Sequence, residues 1–182
     1  MLERVSALAA AHPYKSDVLK IAEHRGFSLT QASGLSKDFQ KKLSPVVGAL
    51  PKKIGVAVEH EGRTLLRTGP EQLWIIGPEA DDVAKKLHGL CAVVPLSHSR
   101  TRILIEGGPA RDVLAKGMAI DFHPKVFTPG MFAMTGLHHM PVLVHCVDEN
   151  RFHLYAMRTF AMTVWEWLTD AALVFSGTPA TP

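Results

Sequence analysis

From residue 54 onward the chain breaks into short apolar runs separated by turn residues, and the runs have the length of strands rather than helices. Gly55-Val56-Ala57-Val58-Glu59 and Thr64-Leu65-Leu66-Arg67 predict two strands joined by a hairpin turn at Glu61-Gly62. Gly69-Pro70-Glu71 then turns into a third strand, Gln72-Leu73-Trp74-Ile75-Ile76. Further strands are predicted at Ala92–Val94, Thr101–Glu106, Met131–Leu137, Pro141–Cys146 and Phe152–Met157, with Asp148-Glu149-Asn150 as the turn between the last two. Three segments carry helical spacing instead. Residues 80–87 place Val83, Ala84 and Leu87 on one face, with Glu79, Asp81 and Asp82 early, Lys85 and Lys86 late, and Gly89 as the stop. Residues 110–116 follow the turn Gly107-Gly108-Pro109, with Pro opening the helix and Val113, Leu114 and Met118 as a short apolar face. Residues 160–172 turn Phe160, Val164, Trp165 and Leu168 inward, with Thr159 as a candidate cap.

The first 42 residues read differently. Val5, Leu8, Ala9 and then Val18, Leu19, Ala22 have helical spacing, interrupted at His12-Pro13. Gly26 to Gly34 is small and polar and predicts a mobile linker, followed by a helix over 36–43 with Ser36 as cap. Residues 1–42 are therefore expected to be a partly helical or flexible N-terminal extension that docks on its own domain or on a partner. Residues 43–175 form the main domain, and 176–182 a disordered tail. Within the main domain a strand turns twice through Gly-Pro into a helix, at Ile76-Gly77-Pro78 and at Gly108-Pro109. That echo predicts an α+β protein of two small, similar halves with antiparallel sheets and packed helices, meeting near residue 95.

Composition narrows the function classes. At 182 residues and 47% hydrophobic, the chain can build a real core. The net charge of +3, with basic residues scattered, does not describe a nucleic-acid groove. No segment approaches the length of a membrane span, and Glu3 breaks any basic leader, so the cytoplasm is the expected location. Cys91 and Cys146 sit in apolar runs and are expected to be buried thiols rather than a disulfide framework.

Candidate chemistry is sparse. Ser97-His98-Ser99 suggests nucleophilic catalysis, but adjacency in sequence does not build a triad. Gly107-Gly108-Pro109 could cradle a phosphate, although Pro109 removes an amide donor and no Lys-Ser/Thr pair follows. His138, His139, His145 and His153 invite a metal, yet neighbours on a strand face opposite ways, and His138 falls in a predicted hairpin turn before Pro141. Arg111, Asp112 and Arg158 are assigned structural roles or contacts with a partner. Trp165 and Trp167 face well apart on their helix, so one is expected in the core and the other is a candidate interface anchor. No catalytic, cofactor-binding or metal-binding residue is assigned on this chain.

Several blocks, taken in order, carry a resemblance to a known family. They are Thr68-Gly69-Pro70-Glu71-Gln72-Leu73-Trp74-Ile75-Ile76, Leu96-Ser97-His98-Ser99-Arg100-Thr101, Gly108 to Gly117 and Ile120 to Phe127. Pro141-Val142-Leu143-Val144-His145, Tyr155 to Phe160 and Trp165-Glu166-Trp167-Leu168 complete the set. Across roughly Leu43 to Ala172 the chain resembles the gamma subunit of heterotetrameric sarcosine oxidase. The resemblance implies a fragment of the folate-binding fold of glycine-cleavage aminomethyltransferases. It implies an accessory, structural role in a complex with alpha, beta and delta subunits. That complex demethylates sarcosine oxidatively to glycine and peroxide and passes the one-carbon unit to tetrahydrofolate. FAD, FMN, NAD and folate are implied for the larger subunits and none for this chain, and the isolated chain is expected to expose apolar surface and self-associate. Two alternatives stay open. One is a folate-dependent aminomethyltransferase-like enzyme, although Lys116-Gly117-Met118 stands where the Lys-Gly-Cys signature of folate-binding iron–sulfur repair proteins would be. The other is a gamma-like subunit of a related demethylating dehydrogenase.

Overall fold

The computed structural model describes residues 5–34, 38–78 and 80–176. In chain order its elements are β1 (Tyr14–Lys15), β2 (Leu19–Glu23), β3 (Ser28–Ser33), α1 (Phe39–Val47), β4 (Ala57–His60), β5 (Arg63–Gly69), β6 (Gln72–Gly77), α2 (Ala80–Leu87) and β7 (Ala92–Pro95). Then come β8 (Arg100–Gly107), α3 (Ala110–Ala115), β9 (Phe132–Leu137), β10 (Met140–Asp148), β11 (Arg151–Met157) and α4 (Ala161–Ala172). The strands form a six-stranded sheet, β1-β2-β8-β11-β10-β9, and a five-stranded sheet, β4-β5-β6-β3-β7. Neighbouring strands from β1 through β2, β8 and β11 to β10, and from β4 through β5, β6 and β3 to β7, run antiparallel. This is the α+β architecture expected from the pattern of runs and turns.

Contacts group the chain into two units. One contains residues 1–24, 100–129 and 133–182; the other contains 25–99 and 130–132. In the second unit α1 and α2 share one core with the five-stranded sheet. Phe39, Leu43 and Val47 recur every four residues and place one buried stripe along α1. They meet Leu65, Leu73, Ile75, Val83 and Leu87. The β4–β5 hairpin turns at Glu61 and Gly62, both with positive φ (49° and 73°), the paired left-handed turn that matches strand twist.

In the first unit, β2, β8, β10 and β11 bury Leu19, Ile21, Ile103, Ile105, Val144, Phe152 and Leu154 at alternating positions. Helix α4 packs on β2 and β11. It buries Ala161, Val164, Trp165, Leu168 and Ala172. Its last carbonyls do not lack donors: Lys116 Nζ bonds Ala171 O at 2.7 Å and Tyr14 Oη bonds Ala172 O at 3.0 Å.

The N-terminal segment departs from expectation. Residues 14–33 carry the strands β1, β2 and β3 where a partly helical or flexible extension was expected. Leu19 and Ile21 are buried on either side of exposed Lys20, a period of two that overrides the helical spacing of Val18, Leu19 and Ala22. Residues 28–33, read as linker, form β3 in the interior of the five-stranded sheet, between β6 and β7. Thr30 is buried there with its hydroxyl donating to Ala80 O at 3.1 Å, so a polar side chain is accommodated at no cost in unpaired groups. Helix α1 runs to Val47 rather than ending at 43, and the expected cap Ser36 lies outside the described residues, as does the tail from 177. Thr159 does not cap α4. A 3-10 turn over Arg158–Phe160 leads into the helix, and Phe160 stays 38% exposed rather than turning inward.

Candidate functional site

The six-stranded sheet carries a polar cluster on each face. On the face shared with α3, Arg111 is buried and takes the structural role assigned to it, not a surface ion pair. Its Nη1 donates to Phe122 O (2.7 Å) and Phe127 O (3.0 Å), and its Nε donates to Glu149 O (2.9 Å). The guanidinium carbon lies 5.1 Å from the centre of the Phe152 ring, and Nη2 approaches Cys146 Sγ at 3.7 Å. The planar fork suits this set of acceptors, which a single ammonium could not span. One side chain thereby pins the 122–127 segment and the β10–β11 turn to α3. Burial raises the Cys146 thiol above its ordinary range, with Arg111 acting in the opposite sense.

On the other face, register brings together histidines distant in sequence. His145 on β10 lies opposite His153 on β11, and His24 follows directly on β2. His24 Nδ1 and His153 Nε2 are 3.1 Å apart, and one ring N–H must donate to the other's lone pair. The His24 and His153 rings meet edge-on at 5.0 Å, and His153 sits edge-on to His145 and Tyr155 at 6.5 and 6.3 Å. His145 is 3% exposed, and its Nδ1 finds no hydrogen-bond partner among the described residues. Burial holds His145 down to about 4. Burial first, then the charge of Arg102, holds His153 down to about 3. His24 is lowered as well, by burial and then by Arg102 and Lys20. The array is therefore neutral imidazole in basic surroundings. Among the described residues no group of three or more His, Cys, Asp or Glu side chains is placed to hold a metal ion.

The remaining candidates are occupied structurally. Ser97 Oγ accepts from Leu29 N (2.9 Å) and donates to Leu29 O (3.3 Å), while His98 is exposed, so Ser97-His98-Ser99 supplies no nucleophile–base pair. Gly107 has φ of 134°, and a Cβ there would stand 2.1 Å from Val18 O; the glycine admits β2 against β8 rather than a phosphate. Asp112 is exposed on α3. Arg158 donates to Val5 O at 2.6 Å and ties down the N-terminal segment. Trp165 is core. Half-buried Trp167 stacks edge-on to His138 at 5.3 Å and covers Gly117, where a Cβ would come within 2.5 Å of the ring. His138 does sit in the hairpin turn, with φ of 51°. Cys146 is buried as expected, Cys91 only half so, and both are free thiols. An open depression of about 320 Å³ lies at the β8 end and the β10–β11 turn, lined by charged Glu106, Asp148, Glu149 and Arg151. A crevice beside Phe39 and Leu73 measures about 10 Å³, room for one water at most. The depression is lined by charge where ligand pockets are mostly apolar, and the crevice is far smaller than such pockets.

The profile of the sarcosine oxidase, gamma subunit family matches residues 56–174. The chain belongs to this family. A sarcosine oxidase subunit gamma from Corynebacterium sp. (strain P-1) is 31% identical over 144 residues, covering 75% of this chain and 71% of that protein. The subunit gamma from Arthrobacter sp. is 30% identical over 133 residues, covering 70% and 66%. Heterotetrameric sarcosine oxidase from Corynebacterium sp. U-96 contains a chain that superposes with a TM-score of 0.86 at 23% identity, covering 98% of this chain and 99% of that one. The glycine cleavage system aminomethyltransferase T from Bartonella henselae shares the fold at a TM-score of 0.63 and 17% identity, over 84% of this chain and 46% of that one. Arg111, His145 and His153 fall inside the span matched to the gamma subunit family, whereas β1, β2, β3 and α1 precede it. The structural likeness nevertheless covers almost the whole chain, so the N-terminal strands are part of the shared fold. No helix among the described residues is long and apolar enough to cross a membrane.

Proposed function

We propose that this chain is the accessory gamma subunit of a heterotetrameric sarcosine oxidase. It binds larger alpha and beta subunits and a delta subunit in the cytoplasm, and the assembled enzyme demethylates sarcosine with tetrahydrofolate as one-carbon acceptor. FAD, FMN, NAD and folate belong to the other subunits on this reading, and the chain contributes interface rather than a reacting group. The observation that carries the reading is the 31% identity to a named gamma subunit across three quarters of the chain. The use of Ser97, Arg111, Arg158 and Trp167 in internal contacts supports a structural role.

The test is recovery of the tagged chain from its native cytosol, followed by an absorption spectrum and identification of co-purifying subunits. A yellow complex with larger subunits that forms peroxide from sarcosine is the expected result. The same complex without sarcosine turnover would point to a related demethylating dehydrogenase. A colourless chain recovered alone would overturn the accessory reading. Titration of that lone chain with tetrahydrofolate would then test the aminomethyltransferase-like alternative, which rests on likeness of fold.

A further inference from the structure

We propose that His24, His153 and His145 form an acid-sensitive latch that releases the C-terminal end of β2 from the six-stranded sheet. The geometry is specific to that end. The His24 amide donates to Arg102 O at 2.8 Å, and the His24 ring reaches across β8 to His153 on β11, so one residue secures the strand to two neighbours. Behind His153 lies buried His145, whose Nδ1 has no partner among the described residues. The groups facing the pair are mostly basic. Lys20 faces it from β2, Arg102 from β8 and Arg151 from β11. Tyr155 flanks His153 on β11, and the carboxylate at hand, Glu106 on β8, is engaged by Arg151. A proton added to the closed array meets those positive charges in a site that burial already makes unfavourable for charge.

The linkage has one sign. In the closed state His145 and His153 bind a proton only well below their ordinary pKa, and His24 is shifted in the same direction. A histidine released to water regains a value near 6.5. Acidification between those limits therefore favours the open form, and above 6.5 the latch is fully closed. At pH 5 a released histidine is protonated by about 30 to 1, so opening that frees His153 is promoted by about 30-fold.

Hydrogen exchange of the full chain at pH 7.5 and pH 5.0, corrected for the intrinsic chemical rate, tests this directly. The peptide spanning Leu19 to His24 is expected to lose protection by about 30-fold, while β10 and β11 lose far less. A uniform loss across all three strands, or a loss below threefold at β2, would overturn the latch. The variant His24→Gln/His153→Gln keeps hydrogen-bonding groups that do not titrate, and it is expected to flatten the pH response; an unchanged response would contradict the assignment. Should that variant fail to fold, the imidazole titration of the wild-type chain still decides. His153 is expected to titrate below pH 5.5, and a midpoint at or above that value would overturn the proposal.

Discussion

Two polar clusters sit on opposite faces of one sheet, and they are satisfied in opposite ways. On the α3 face, Arg111 is a buried cation whose Nε and Nη1 donate to three carbonyls and whose plane rests near an aromatic ring. On the other face, His24 and His153 share a hydrogen bond, and buried His145 Nδ1 goes without a partner among the described residues. A cation held by three carbonyls behaves as fixed structure. Neutral imidazoles short of partners tie the sheet's integrity to pH. The contrast shows that buried polarity alone does not mark a catalytic site; what matters is which protonation state the partners favour.

Removing Arg111 should break the comparison most severely. Arg111→Ala leaves the carbonyls of Phe122, Phe127 and Glu149 without their donor, the first two of them in buried bonds, and the expected loss is on the order of 4 kcal/mol in urea denaturation. Arg111→Lys should recover only part of it, because one ammonium cannot reproduce the fork. A loss below about 1 kcal/mol for the alanine variant would mean that the carbonyls find other donors.

Gly107→Ala should come next, at about 3 kcal/mol, since the new Cβ meets Val18 O and the backbone keeps a φ of 134°. This variant strikes the β2–β8 seam at the end opposite His24. Wild-type acid sensitivity should persist in it if the histidines, and not the seam as a whole, set the response to pH.

Acid itself sharpens the contrast. The folded His145 and His153 values of about 4 and about 3 lie below the ordinary 6.5, so native stability is complete above 6.5 and falls as pH drops towards 4. His145→Leu removes the orphaned nitrogen and should narrow the stability gap between pH 7.5 and pH 5, measured by thermal unfolding at both. A gap equal to that of the wild type would assign the acid response elsewhere.

Arg151→Gln should have the smallest effect on stability, because its pairing with Glu106 is half-exposed. Its use lies in the sign of a second readout. Losing that positive charge should raise the His153 titration midpoint slightly, as read by NMR.

Strands from β4 to β11 were legible because their apolar runs are bounded by Gly, Pro, Asp or Asn. The hairpin at Glu61-Gly62 and the turn at His138 fell where those residues predicted. The first 33 residues were not. Leu19 and Ile21 offer only two alternating apolar positions, and Ser28-Leu29-Thr30-Gln31-Ala32-Ser33 is too polar to announce an interior strand. Its place between β6 and β7 is conferred by tertiary pairing, not by propensity. Arg111 gave no sign of burial, since the carbonyls it binds come from segments 11 to 38 residues away. His24 and His153 lie 129 residues apart, and only the register of β2, β8 and β11 brings them together. The family resemblance was legible in the ordered blocks from Thr68 to Leu168.

The most direct test of the central reading is the native mass of the assembly purified through a tag on this chain. The account predicts one 19.9 kDa copy bound with larger, flavin-carrying subunits. The chain found alone, or paired only with itself, would contradict it.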